Sequence, residues 1–197
     1  MRRVELGAVA ALAAALLAGC VQPAEPTPSA SPTPTYLCTP EAGGDEAPCS
    51  EADYQKMKEK DALYAEAEQV YRKYLAAYHA VAEKGGADKL PSSISTLIGD
   101  KQLASNIEQD LLDLKNSGLH VRGPGITVKS VERLPGKAMS GSDVTLRFCS
   151  DASANAVLKG SKKVNMGAIS VDTVYLRSFD ASVKIVAIQY KAGKCGG

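Results

Sequence analysis

Apolar positions in this chain change their spacing several times. Residues 4–18 are a nearly unbroken run of Val, Leu and Ala, with Glu5 as its one charge. Residues 21–36 set Pro23, Pro26, Pro28, Pro32 and Pro34 among Ser, Thr and Ala and show no periodic stripe. From Glu51 to Glu83 the spacing becomes helical. Met57, Tyr64, Ala67, Tyr71, Tyr74, Tyr78 and Val81 recur at steps that share one helical face. Leu103, Ile107, Leu111 and Leu114 form a second such stripe within Lys101–Ser117. After Gly123-Pro124-Gly125 the period falls to two, the mark of strands.

End signals agree with these periods. Ser50 and Asp53 have capping-box spacing ahead of the long helix, and Gly85-Gly86 ends it. The charged start of that helix is expected to project beyond the core. Ile94, Leu97 and Ile98, between Pro91 and Gly99, predict a turn or two of helix. Asp100 caps the second long helix, and Gly118 supplies its left-handed exit. Strands are predicted at Ile126–Leu134, Ser142–Ser150, Ala156–Lys159, Val171–Phe179 and Val183–Tyr190, with a Gly-Ser-Lys-Lys turn after the third. Helices followed by an antiparallel meander make an α+β domain. Strict alternation in the last strand puts Val183, Ile185 and Ala187 on one face and Val186, Ile188 and Tyr190 on the other. A sheet with two apolar faces is expected to meet a second copy, an envelope protein or the chain's own N-terminal segment.

The N-terminus assigns a compartment. Arg2 and Arg3 precede an apolar core of signal-peptide length, too short to span a bilayer comfortably. Leu17-Ala18-Gly19-Cys20 resembles the bacterial lipobox. The resemblance implies a diacylglyceryl group on the Cys20 thiol and cleavage just before it. Residues 1–19 are then the signal peptide, 20–36 the lipidated Cys and Pro/Ser/Thr-rich linker, and 37–197 the domain. The membrane becomes a partner through diacylglyceryl-Cys20, and the location is its extracytoplasmic face. A proline-rich tether at ~3.1 Å per residue holds the domain up to ~50 Å from the bilayer.

Charge narrows the partners. Without residues 1–19 the basic and acidic side chains balance, so no basic field favours nucleic acid. Four cysteines remain beyond Cys20, and an even number in an exported chain reads as disulfides. Four allow three pairings. The expected one is Cys38 with Cys49, which bracket a Gly- and Pro-bearing loop, and Cys149 with Cys195, strand to C-terminus.

Four segments carry a family resemblance: CTPEAGGDEAPCSEADY at 38–54, KDALYAEAEQVYRKYLAAY at 60–78, VTLRFCSD at 144–151 and KAGKC at 191–195. With them the chain resembles actinobacterial-type lipoproteins that carry an NTF2-like, cystatin-like domain. That resemblance implies a roll in which N-terminal helices pack into a bent antiparallel sheet. It implies no reaction.

The chemistry expected is correspondingly sparse. The chain has no G-x-S-x-G, H-E-x-x-H or P-loop signature. No catalytic residue, metal site or cofactor is expected. The tyrosine stripe Tyr64, Tyr71, Tyr74 and Tyr78 is the candidate lining of a ligand cavity. NTF2-like enzymes place acid–base groups inside the cone, which makes Asp110, Asp113 and His120 the residues to watch. His79 is expected on the surface. The function expected first is that of a membrane-anchored lipoprotein with a non-catalytic binding domain. The alternatives are a small-molecule carrier with a Tyr-lined cone and, further off, an isomerase- or dehydratase-type enzyme. Both alternatives need a cavity of roughly 300 Å³ or more with a few convergent polar groups. The enzyme needs, in addition, a buried Asp or His facing a Tyr.

Overall fold

A computed structural model describes residues 35–180 and 182–195, within a compact unit spanning Thr35–Gly197. The expected signal peptide, the expected lipidation site Cys20 and nearly all of the expected linker lie outside the described residues. The first described element is a small hairpin, β1 (Tyr36–Cys38) and β2 (Ala47–Cys49), clasped by the Cys38–Cys49 disulfide. Helix α1 (Glu51–Glu83) follows at once. The Ser50 side chain accepts from the Asp53 N–H at 3.1 Å. Asp53 answers by accepting from the Ser50 hydroxyl at 2.7 Å rather than from the N-cap backbone.

The charged start of α1 lies beyond the core, with Glu51, Asp53, Lys56, Lys58 and Glu59 exposed, and the hairpin packs against one side of it. Tyr36 packs against Tyr54 with ring centroids 5.3 Å apart. The Tyr64 hydroxyl donates to Glu41 Oε1 at 2.6 Å, and the Thr39 N–H points at Met57 Sδ, 3.2 Å away.

Helices α2 (Ser92–Ser95) and α3 (Lys101–Ser117) complete the helical layer. Asp100 accepts from the Leu103 N–H at 2.8 Å, and Gly118 leaves α3 at φ 66°. At the far end of α1, Gly86 sits at φ 90°, and a Cβ there would lie 2.2 Å from the Leu111 carbonyl. Only glycine lets α1 end this close to α3.

Seven strands follow: β3 (Leu119–Arg122), β4 (Thr127–Arg133), β5 (Val144–Asp151), β6 (Ala156–Lys159), β7 (Lys162–Met166), β8 (Ile169–Phe179) and β9 (Ser182–Ala192). The main sheet runs β4-β5-β8-β9, antiparallel throughout. The simple meander is broken between β5 and β8, where β6 and β7 leave to pair with β3 in a second sheet. The two-residue turn Gly160-Ser161 joins β6 to β7, and the exposed Lys162 and Lys163, expected in the turn, open β7 instead.

Alternation sorts the main sheet. Val144, Leu146 and Phe148 of β5 and Val174 and Leu176 of β8 join the core with Tyr71, Tyr74, Ile94 and Leu111. The last strand departs from strict alternation. Leu176 pairs with Ile185 but Tyr175 pairs with Ala187, so Val186 is the extra residue of a bulge. A bulge reverses the facing of everything beyond it. Val183, Ile185, Ile188 and Tyr190 therefore share the helix side, opposite Ser178, Leu176, Val174 and Asp172 or their neighbours in register. The expectation of two apolar faces, and of a partner drawn to the second, loses that premise. Part of the outer face is also covered by residues 134–143, where the Thr145 hydroxyl donates to the Lys137 carbonyl at 2.6 Å.

The free edge of β9 is blunted as well. Ile185 exchanges backbone hydrogen bonds with Leu97 and Gly99 at 2.9 and 2.8 Å, and the Val183 N–H donates to Glu66. Occupied edge groups resist pairing with another chain. The Cys149–Cys195 disulfide ties the C-terminal segment back to the outer side of β5, across β8.

Candidate functional site

Helical spacing brings Tyr71, Tyr74 and Tyr78 into one ladder on α1. Tyr71 and Tyr74 stack with centroids 5.6 Å apart, and Tyr74 and Tyr78 lie tilted at 6.0 Å. They form one wall of a half-open cleft of about 440 Å³. Leu103, Asn106, Ile107 and Asp110 of α3 line it too, with Ser150 of β5, Ser170 and Asp172 of β8, and Ile188 and Tyr190 of β9.

Asp172 is the centre of this arrangement. It sits on the inward side of β8, in the row that continues into the core as Val174 and Leu176. Only 3% of it is exposed. The Tyr71 hydroxyl donates to its Oδ2 at 2.9 Å. Its Oδ1 has no partner among the described residues, and neither does the buried hydroxyl of Ser150. Buried polar atoms are nearly always hydrogen-bonded, and leaving one unpaired costs roughly 1–3 kcal/mol. Two such atoms lie in the lining of this one cleft.

The titration behaviour follows from the same surroundings. Burial raises the Tyr71 pKa far above 10.0, and the charge of Asp172 raises it further. Burial likewise raises Tyr74 and Tyr78, and Asp110 adds to both shifts. These phenols therefore stay protonated at neutral pH, and the Tyr71 hydroxyl serves as a donor. At the cleft rim, burial and then the neighbouring Asp113 raise the Asp110 carboxyl above its ordinary value.

Other candidates lie elsewhere. Tyr64 is buried under the hairpin, bonded to Glu41 and faced by the Arg133 guanidinium 4.7 Å from its ring. Asp113 is exposed and accepts from Gln109. His120 stands on β3 opposite Leu158, outside the cleft lining. His79, expected at the surface, is largely buried beside the 124–126 turn, with Nε2 unpartnered. Cys20 lies outside the described residues. Cys38, Cys49, Cys149 and Cys195 form the two disulfides already described.

One end of the cleft rests on Asn155, which is 2% exposed. Its side chain accepts from the Gly125 N–H at 3.0 Å and donates to the Gly125 carbonyl at 2.8 Å. That clamp fixes the turn carrying Ile126 against the segment carrying Ala152. A larger groove of about 840 Å³ crosses the outer face of the sheet. Of its charged side chains, Glu132 and Arg147 satisfy each other at 2.7 Å, while Lys191 and Lys194 form no ion pair among the described residues. With no unpartnered buried group of its own lining, it is the weaker candidate despite its size.

Comparison of the chain with family models, curated proteins and solved structures returns no match. Among the described residues no helix is long and apolar enough to cross a membrane. No three or more His, Cys, Asp or Glu gather there in a metal-holding group.

Proposed function

We propose that this chain is a lipoprotein, held at the extracytoplasmic face of the membrane by diacylglyceryl-Cys20, whose domain holds a small molecule in the tyrosine-lined cleft. The observation that carries this reading is the unpartnered, buried Oδ1 of Asp172 at the centre of a 440 Å³ cleft. A domain built only for surface contact has no use for an open cone with an unsatisfied carboxyl at its base. The volume exceeds the roughly 300 Å³ that ligand sites require, and the lining mixes apolar wall with a few polar groups. The domain is, on this reading, an NTF2-like roll. Helices laid on one face of a four-stranded antiparallel sheet support that placement, as does the opening between α1, α3 and the sheet.

The anchor sets the context. A lipid-tethered carrier keeps its ligand near the bilayer without needing a partner protein to localise it. Two acyl chains give stable anchoring where one gives marginal binding.

A second, catalytic reading draws on the same pair. Asp172 faces Tyr71, and its other oxygen is buried in the cleft lining without a donor. General base work needs such an oxygen within hydrogen-bond reach of a proton on the bound molecule. The readings part on turnover: a carrier returns its ligand unchanged.

The experiment is native mass spectrometry of the protein extracted from its own membrane, sprayed without denaturation. The expected result is a non-covalent adduct that disappears when the same sample is unfolded. A chain that flies bare at every activation energy, from every extraction, overturns the carrier reading.

A further inference from the structure

Resting on the ligand-binding reading, the composition of the cleft also selects the ligand's charge. None of the described residues lining it is Lys, Arg or His. It holds two carboxyl groups, Asp172 at the base and Asp110 at the rim, and neither forms an ion pair among the described residues. The Asp172 oxygen that Tyr71 does not reach is buried and lacks a donor. Diagonal to it across the β5–β8 pair, where Phe148 lies opposite Asp172 and Ser150 opposite Ser170, is the second unpartnered buried group, the Ser150 hydroxyl. The walls are aromatic and aliphatic: Tyr74 and Tyr78 from α1, Leu103 and Ile107 from α3.

We propose that the ligand is an organic ammonium ion, a protonated primary or secondary amine on an apolar or aromatic body. Its N–H groups donate to Asp172 Oδ1 and Ser150 Oγ. The positive charge meets the faces of the tyrosines, whose ring quadrupoles attract cations. The apolar body lies against Leu103 and Ile107, where burial is favourable in proportion to area. An anion is rejected because it would meet two carboxyl groups in a site with no cation to balance it. A neutral alcohol of the same shape keeps the apolar contact and one hydrogen bond but loses the charge-assisted part, which is the stronger part. A bare metal ion would leave the apolar walls without a role.

The test compares three probes of one shape on the full chain, exported, lipidated and held in lipid nanodiscs: phenethylammonium, phenethyl alcohol and phenylacetate. Binding is read from the NMR signals of selectively labelled tyrosines, with Tyr74→Phe and Tyr78→Phe to assign them. Phenethylammonium is expected to move the Tyr74 and Tyr78 signals with a Kd at least about tenfold below that of the alcohol. Phenylacetate is expected to leave them in place. Asp172→Asn is expected to erase the preference for the cation over the alcohol. If Asp172→Asn does not fold, Asp110→Asn at the exposed rim serves instead, with an expected loss of cation affinity of about threefold. Alcohol or phenylacetate binding in the cleft as tightly as the cation overturns the ammonium assignment and leaves a ligand cleft standing. No probe moving either signal at millimolar concentration overturns the assignment and the carrier reading together.

Discussion

Tyr71 and Asp172 stand 101 residues apart in sequence and share a 2.9 Å hydrogen bond at the base of the cleft. The bond ties the long helix to the third strand of the main sheet where the hydrophobic core gives way to the opening. Tyr71 also packs on Phe148, with centroids 4.5 Å apart, so its ring belongs to the core and its hydroxyl to the site. Tyr71→Phe keeps the ring and leaves both oxygens of Asp172 unpaired. It is expected to lower stability by about 1–3 kcal/mol, read from the denaturation midpoint at unchanged m-value.

Alkaline pH gives a second expectation. Tyr71 has a folded pKa raised well above 10.0, first by burial and then by Asp172. In the unfolded chain it ionises near ~10. Its contribution to stability is complete below that pH and drains away as pH rises toward the folded value, because the unfolded state then binds fewer protons. Tyr64, Tyr74 and Tyr78 are shifted the same way. Tyrosinate absorbance is expected to rise in two stages, the later one coinciding with loss of circular dichroism. In Tyr71→Phe the later stage is expected to shrink.

Asn155 offers a test of how the cleft is framed. Its side chain satisfies both backbone groups of Gly125, and Gly123 lies so close that a Cβ there would sit 2.3 Å from the Asn155 amide oxygen. Asn155→Leu, similar in size, strands two backbone groups without removing volume. A loss of more than about 2 kcal/mol is expected in thermal or chemical unfolding. Hydrogen exchange is expected to quicken at Gly125 and Ile126.

The two disulfides close loops of different length, with sequence separations of 11 and 46. Chain-entropy reasoning gives up to ~3 kcal/mol for the shorter loop and up to ~4 kcal/mol for the longer. The shorter clasps a hairpin at one end of α1; the longer fastens the tail to the core sheet. Replacing Cys149 and Cys195 together by Ala is expected to be the more destabilising double substitution. Unfolding midpoints of the two double variants in the same denaturant check the order.

Much of the fold was legible in the sequence because its signals were local. Both long helices begin and end where caps and periodicity place them, since Ser50, Gly85-Gly86, Asp100 and Gly118 act on their immediate neighbours. The strands β1, β2, β3 and β7 left weaker traces. The first two owe their pairing to a disulfide, and Leu119–Arg122 pairs with a segment more than thirty residues away. The bulge at Val186 is invisible to strict alternation, and it reverses the facing of Ile188 and Tyr190.

At the site, the tyrosine ladder followed from helical spacing, but Asp172 and Ser150 did not. They had a signal all the same. Ser170 and Asp172 fall in phase with Val174 and Leu176, and Ser150 in phase with Phe148 and Leu146. A polar residue on the buried phase of a strand is a conflict that points to function. Tyr64 shares the helical stripe with the other tyrosines yet lies beyond the cleft's end, because a stripe fixes a direction and not a depth.

The most direct test of the central claim is a crystal structure of the protein purified from its own membrane without a denaturing step. Connected non-protein density is expected in the cleft between Tyr74, Tyr78 and α3, with a donor within hydrogen-bond distance of Asp172 Oδ1. A cleft closed by the side chains of Tyr74, Tyr78 and Leu103, with Asp172 satisfied from within the protein, would contradict it.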